Sequence, residues 1–105
     1  AAAQWIQEQT GPDDIILINS NYWGSGKAIP SDGGGWIETF SGRRTVFLET
    51  DASPADLAQF TQQHKVRYIY LGRFTGFLSR TEMTDASYSL VYAQGGVEIY
   101  RVDSP

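Results

Sequence analysis

The residues with the most chemical potential fall in one stretch, Asn19 to Gly35, which reads NSNYWGSGKAIPSDGGG. It carries two aromatic rings, Tyr22 and Trp23, a lone Lys27, and Asp32 directly ahead of the glycine run Gly33-Gly34-Gly35 and Trp36. Three consecutive glycines opening a helix can present backbone N–H groups to a phosphate, because the first turn of a helix leaves its donors unpaired. Lys27 would add positive charge, and Arg43 beyond the short helix could meet the same phosphate with its planar fork of donors. The candidate ligand-binding set is therefore Tyr22, Trp23, Lys27, Asp32, Gly33, Gly34, Gly35, Trp36 and Arg43. The glycine spacing departs from both the nucleotide P-loop and the dinucleotide fingerprint, which fix their glycine positions. A plainer alternative stands beside it. Asp32 caps the helix, the glycines let the loop fold tightly, and Arg43 pairs with the last carbonyls of the helix before it.

The other reactive side chains make weaker constellations. His64 is the single histidine and there is no cysteine, so thiol nucleophiles and histidine–cysteine metal sets are excluded. His64 is expected at a helix C-terminus, where the helix dipole favours a cation. Asp13 and Asp14 precede the first strand, at the end of a parallel sheet opposite to where ligands bind, and suit turn duty. Glu49 and Asp51 follow the second strand at the ligand-binding end and could share a divalent cation through oxygen, but two acids are too few to define a site. No catalytic residue, metal or cofactor is assigned on this basis.

These residues need a scaffold, and hydrophobic periodicity supplies one. Ala2, Trp5, Ile6 and Gln9 recur at helical spacing, and the helix stops at Gly11-Pro12. Ile15–Ile18, Thr45–Glu49 and Arg67–Leu71 are short runs rich in β-branched and aromatic residues, the pattern of buried parallel strands. Between the second and third runs, Ser53-Pro54-Ala55-Asp56 combines an N-cap, a proline at the first helical position and a capping-box acid. Leu57, Phe60 and Thr61 then form one helical face. A short helix is expected over 36–40, and a loop with at most a helical turn over 73–87. The runs 88–93 and 97–102 flank Gly95-Gly96, a strong signal for a two-residue hairpin turn. In that register Tyr92 faces Ile99 and Val91 faces Tyr100. The tyrosines at 68, 70, 88, 92 and 100 alternate along strands and serve core and sheet surface. The expected fold is α/β, a three-layer α/β/α sandwich of Rossmann or flavodoxin-like type, with three parallel strands followed by an antiparallel C-terminal hairpin.

Bulk properties agree with one domain spanning 1–105. A chain of this length buries enough surface for a single core. The net charge of -4 argues against nucleic-acid binding, which needs a basic face to neutralise phosphates, and against docking on anionic lipid. The chain opens Ala1-Ala2-Ala3-Gln4 without methionine and enters helical sequence uncapped, which reads as a piece excised from a larger polypeptide.

Three segments carry a family likeness. The opening WIQEQTGPDDIILIN, the central SDGGGWIETFSGRRTVF and the closing DASYSLVYAQGGVEIYRV resemble the soluble C-terminal domain of bacterial polytopic membrane proteins. Those proteins are similar to the GT-C type membrane glycosyltransferases that use lipid-linked sugars. The likeness spans nearly the whole chain and consists of fold-level patterns. It implies an extracytoplasmic accessory domain at the bacterial cell membrane, trailing its own membrane-embedded domain and contributing to lipid-linked donor or glycan-acceptor recognition. In such proteins the catalytic acid lies in the membrane body, and the Trp-Trp-Asp signature of oligosaccharyltransferase-like members is absent here, so no catalytic residue is carried over. A free-standing small-ligand module for phosphate or sugar, using the same loop, is the competing expectation.

Overall fold

The computed structural model describes residues 2–23, 27–30, 37–49, 53–72, 76–80, 83 and 87–103, with backbone alone at 21–23, 27–30 and 39. Helix α1 (Ala2–Gln9) leads into β1 (Ile15–Ile18), and β2 (Ser20–Trp23) and β3 (Lys27–Pro30) follow. Then come α2 (Ile37–Ser41), β4 (Arg44–Phe47), α3 (Pro54–Gln63), β5 (Val66–Leu71), β6 (Tyr88–Gln94) and β7 (Val97–Val102). The fold is mixed α/β. Five strands form one sheet in the order β4-β1-β5-β7-β6, while β2 and β3 make a separate two-stranded sheet. β1 runs parallel to both β4 and β5, and β7 and β6 close the sheet antiparallel.

Alternation along β1 divides the core. Leu17 joins Leu57 of α3, Ile69, Leu71 and Tyr100 in one apolar cluster. Ile16 and Ile18 join Ile6 of α1, Ile37 of α2, Tyr70 and Ile99 in a second, and Trp5 packs onto this one against Tyr68 and Tyr92. Ile16, Leu17 and Ile18 are all but inaccessible to water, as a strand with both faces covered requires. β4 departs from that expectation. It lies at the sheet edge and is only half-buried, because among the described residues it has β1 on one side and no strand on the other.

Local chemistry explains the boundaries. Ser53 caps α3, its hydroxyl accepting from the Asp56 amide while the Asp56 carboxylate accepts from the Ser53 amide, with Pro54 at the first turn. His64 forms the C-cap and stacks on Phe60, ring centroids 4.2 Å apart. The next residue, Lys65, sits at φ 56, a left-handed conformation usually given to glycine at this position. The C-terminal hairpin turns on Gly95 and Gly96 at φ 61 and 82, the two positive angles that a two-residue primed turn demands. Tyr92 faces Ile99 as expected, but Tyr100 faces Leu90 and not Val91. A bulge between Leu90 and Tyr92 absorbs Val91, so Val91 and Tyr92 both pack on the α1 side and Leu90 is left exposed.

Candidate functional site

The stretch expected to be a loop leaving β1 is in part a hairpin. Ser20 pairs with Pro30, Asn21 with Ile29, Tyr22 with Ala28 and Trp23 with Lys27. The hairpin rises from the carboxyl end of β1, the end at which open α/β sheets bind ligands. Tyr22, Trp23 and Lys27 thus share its outer half by strand register, Trp23 directly opposite Lys27. Asp32, Gly33, Gly34, Gly35 and Trp36 lie outside the described residues, as does Asp51. Glu49 is exposed, and among the described residues no three His, Asp or Glu side chains gather in one place.

Just past the end of β1, at the base of the hairpin, the described chain packs against itself. Asn19 and Ser20 are both buried. The Asn19 side chain donates to the Leu78 carbonyl at 3.0 Å and accepts from the Leu78 amide at 3.0 Å, so one residue reproduces both bonds of a strand pair. The Asn19 carboxamide oxygen also accepts from the Ser20 amide. The Ser20 hydroxyl donates to the Leu48 carbonyl at the end of β4, and the Ser20 carbonyl accepts from the Phe77 amide at 2.8 Å. Phe77, Leu78 and Met83 are buried in the α3-side cluster. Gly76 makes this closeness possible. A Cβ there would lie 2.4 Å from the Asn19 Oδ1 and 2.5 Å from the Ser20 carbonyl oxygen.

Arg80 fastens the far end of this plug. Its guanidinium meets Glu98 at 2.7 Å and donates to the Gly72 and Gly96 carbonyls, tying the ends of β5 and of the C-terminal hairpin together. Glu98 in turn accepts from the Tyr100 hydroxyl at 2.7 Å. Burial of the Tyr100 ring, reinforced by the Glu98 hydrogen bond and charge, pushes its phenol up to about 12.

Arg43 stands at the opposite end of the sheet. Its guanidinium donates to the Gln7 carbonyl at 2.9 Å, to the Thr10 carbonyl at 3.2 Å and to the Thr10 hydroxyl at 3.0 Å, and reaches the Ser41 carbonyl at 3.3 Å. These are the last carbonyls of α1 and of α2, which satisfies orphan acceptors of both helices. Asp14 serves the adjoining turn, accepting from the Gly11 amide at 2.8 Å. The structure thus gathers Tyr22, Trp23 and Lys27 on one hairpin and sets Arg43 apart from them. Asn19, Ser20 and the 76–80 plug have no counterpart among the candidates read from sequence. The only sequence signal for them is the apolar pair Phe77-Leu78 inside an otherwise polar stretch. Comparison with known proteins returns no match, whether to family models, curated proteins or solved structures.

Proposed function

We propose that this chain is a non-catalytic, extracytoplasmic accessory domain of a glycosyltransferase-like membrane protein. In this reading it meets a lipid-linked sugar donor or a glycan acceptor through the β2–β3 hairpin and the Gly-rich stretch 31–36. The observation that carries recognition over catalysis is the occupied carboxyl end of β1 and β5. Phe77 and Leu78 fill the ground where a substrate would settle, and both polar atoms of the Asn19 amide are spent on Leu78. A hairpin standing above such a floor is suited to touching a partner's surface. The partner itself is inferred from the three sequence segments that resemble soluble domains of GT-C type proteins.

The architecture belongs to the same proposal. Helices that supply two separate clusters against one sheet support a three-layer α/β/α sandwich. The order of the parallel strands, second-first-third along the chain, supports a flavodoxin-like beginning closed by an antiparallel hairpin. The domain's first partner would be its own membrane-embedded portion. No helix among the described residues is long and apolar enough to cross a membrane, so the spans of such a parent lie elsewhere in its polypeptide. Nucleic acid has no part in this reading, given the net charge of -4.

Two experiments test it. The reading frame upstream of Ala1 is expected to encode several hydrophobic spans, and a start codon there without them would contradict the membrane assignment. Titrating the isolated domain with polyprenyl-phosphate sugars and short glycans is expected to move the Trp23 and Trp36 signals. Silence at millimolar ligand would remove the hairpin as a binding element. A second reading, a free-standing module for a small phosphate or sugar ligand, is favoured by the same hairpin at the carboxyl end of β1, and the upstream sequence separates the two.

A further inference from the structure

A groove of about 320 Å³ opens at the other end of the sheet, between the end of α3 and the start of β5, floored by Ala58, Val66, Val102 and Tyr88 and rimmed by Gln62, Lys65 and Arg67. Two features of the backbone put the cations there. Lys65 holds the left-handed conformation at φ 56, where glycine would rest without strain. A bulge opposite Ile15 and Ile16 lets Val66 and Arg67 face the same side, since Ile69 and Leu71 already fix Arg67 on the α3 side by alternation. In a chain of net charge -4 this groove has two cations on its wall and no carboxylate among its described lining. Asp103, whose charge is felt by Arg67, is held by Ser89 and by its ion pair with Arg101. Among the described residues the ion pairs are Arg80–Glu98 and Arg101–Asp103, and neither draws on Lys65 or Arg67.

We infer that this groove binds a small organic anion, a phosphate monoester or carboxylate attached to a ring, with the charge between Lys65 and Arg67 and the ring on Val66, Val102 and Tyr88. The size suits a small ligand, since ligand clefts begin near 300 Å³. The left-handed conformation that ends α3 sets Lys65 on the cleft wall beside Arg67. The groove is independent of the hairpin, so either can fail without the other.

Amide NMR of the isolated domain with phenyl phosphate, inorganic phosphate and benzyl alcohol reads the inference. Phenyl phosphate is expected to shift Lys65, Arg67 and Tyr88 at low millimolar concentration, more strongly than either the phosphate or the neutral ring alone. Lys65→Gly separates binding from folding, because it relieves the left-handed strain. It is expected to hold or raise the melting temperature while weakening phenyl phosphate about five-fold, the worth of one exposed charge contact. Arg67→Glu, which reverses a charge, is expected to weaken it further. Absence of groove shifts at about 20 mM phenyl phosphate, a concentration above any useful affinity, would overturn the inference. Unchanged affinity in a folded Lys65→Gly protein would do the same.

Discussion

Replacing Gly76 with alanine tests the closed carboxyl end directly. The added methyl carbon would sit 2.5 Å from the Ser20 carbonyl oxygen and 2.4 Å from the Asn19 Oδ1, inside any tolerable contact. Asn19 is itself buried and bonded on both polar atoms, and the Ser20 oxygen is backbone, so neither can step aside alone. Relief requires lifting the plug, which forfeits the Phe77–Ser20 bond and both Asn19–Leu78 bonds. At about 1 kcal/mol for each buried hydrogen bond the loss is about 3 kcal/mol. Reduced freedom of the unfolded chain returns about 0.5 kcal/mol of it. The net cost of about 2–3 kcal/mol lowers the melting temperature by roughly 10–20 °C for a domain of this size. The control is Gly95→Ala, where nothing lies within 4 Å and only the left-handed φ of 61 is penalised, costing about 1 kcal/mol. Urea unfolding of both variants, with hydrogen exchange at the Phe77 and Leu78 amides, supplies the measurement. A Gly76→Ala protein no less stable than Gly95→Ala, with Leu78 still protected, would refute the plug.

Two further outcomes follow from other parts of the molecule. Arg43→Ala should destabilise by about 1–3 kcal/mol, because the carbonyls ending α1 and α2 lose a shared charged donor. Arg43→Lys should recover less than half of that in urea unfolding, since an ammonium cannot span acceptors on two helices at once. Tyr100 should make stability fall with pH in the alkaline range. Its phenol titrates near 10 when unfolded and is held up to about 12 by burial and by Glu98. The folded state therefore keeps its proton while the unfolded state loses it, so the contribution is whole below pH 10 and is lost between 10 and 12. Stability measured across that range should fall by an amount on the order of 2 kcal/mol, and Tyr100→Phe should flatten the fall.

The fold was legible where local chemistry and hydrophobic pattern agreed. The run Ile15–Ile18, the Ser53-Pro54-Asp56 cap and the Gly95-Gly96 turn each have one low-energy answer, and each is found. Bulges were not legible. Val91 slips from the ladder because β6 is an edge strand with no partner beyond it among the described residues to enforce register, and a one-residue slip leaves composition unchanged. The β2–β3 hairpin was hidden by its glycines, which read as loop, although Gly24-Ser25-Gly26 between SNYW and KAIP is itself a turn signal. The plug was the least visible of all. Asn19 and Leu78 are 59 positions apart, and nothing local in either announces that a single amide will stand in for a strand. Arg43 shows the limit for sites, since the same guanidinium suits a phosphate and a pair of helix ends, and only the fold assigns it to the latter carbonyls.

Amide chemical-shift mapping of the isolated domain against a polyprenyl-phosphate-linked sugar in detergent micelles bears most directly on the recognition role. The shifts are expected to gather on residues 20–23, 27–29 and 31–36, with the amides of 76–80 unmoved. Shifts centred on Asn19 and the 76–80 plug, or no shifts at all, would contradict it.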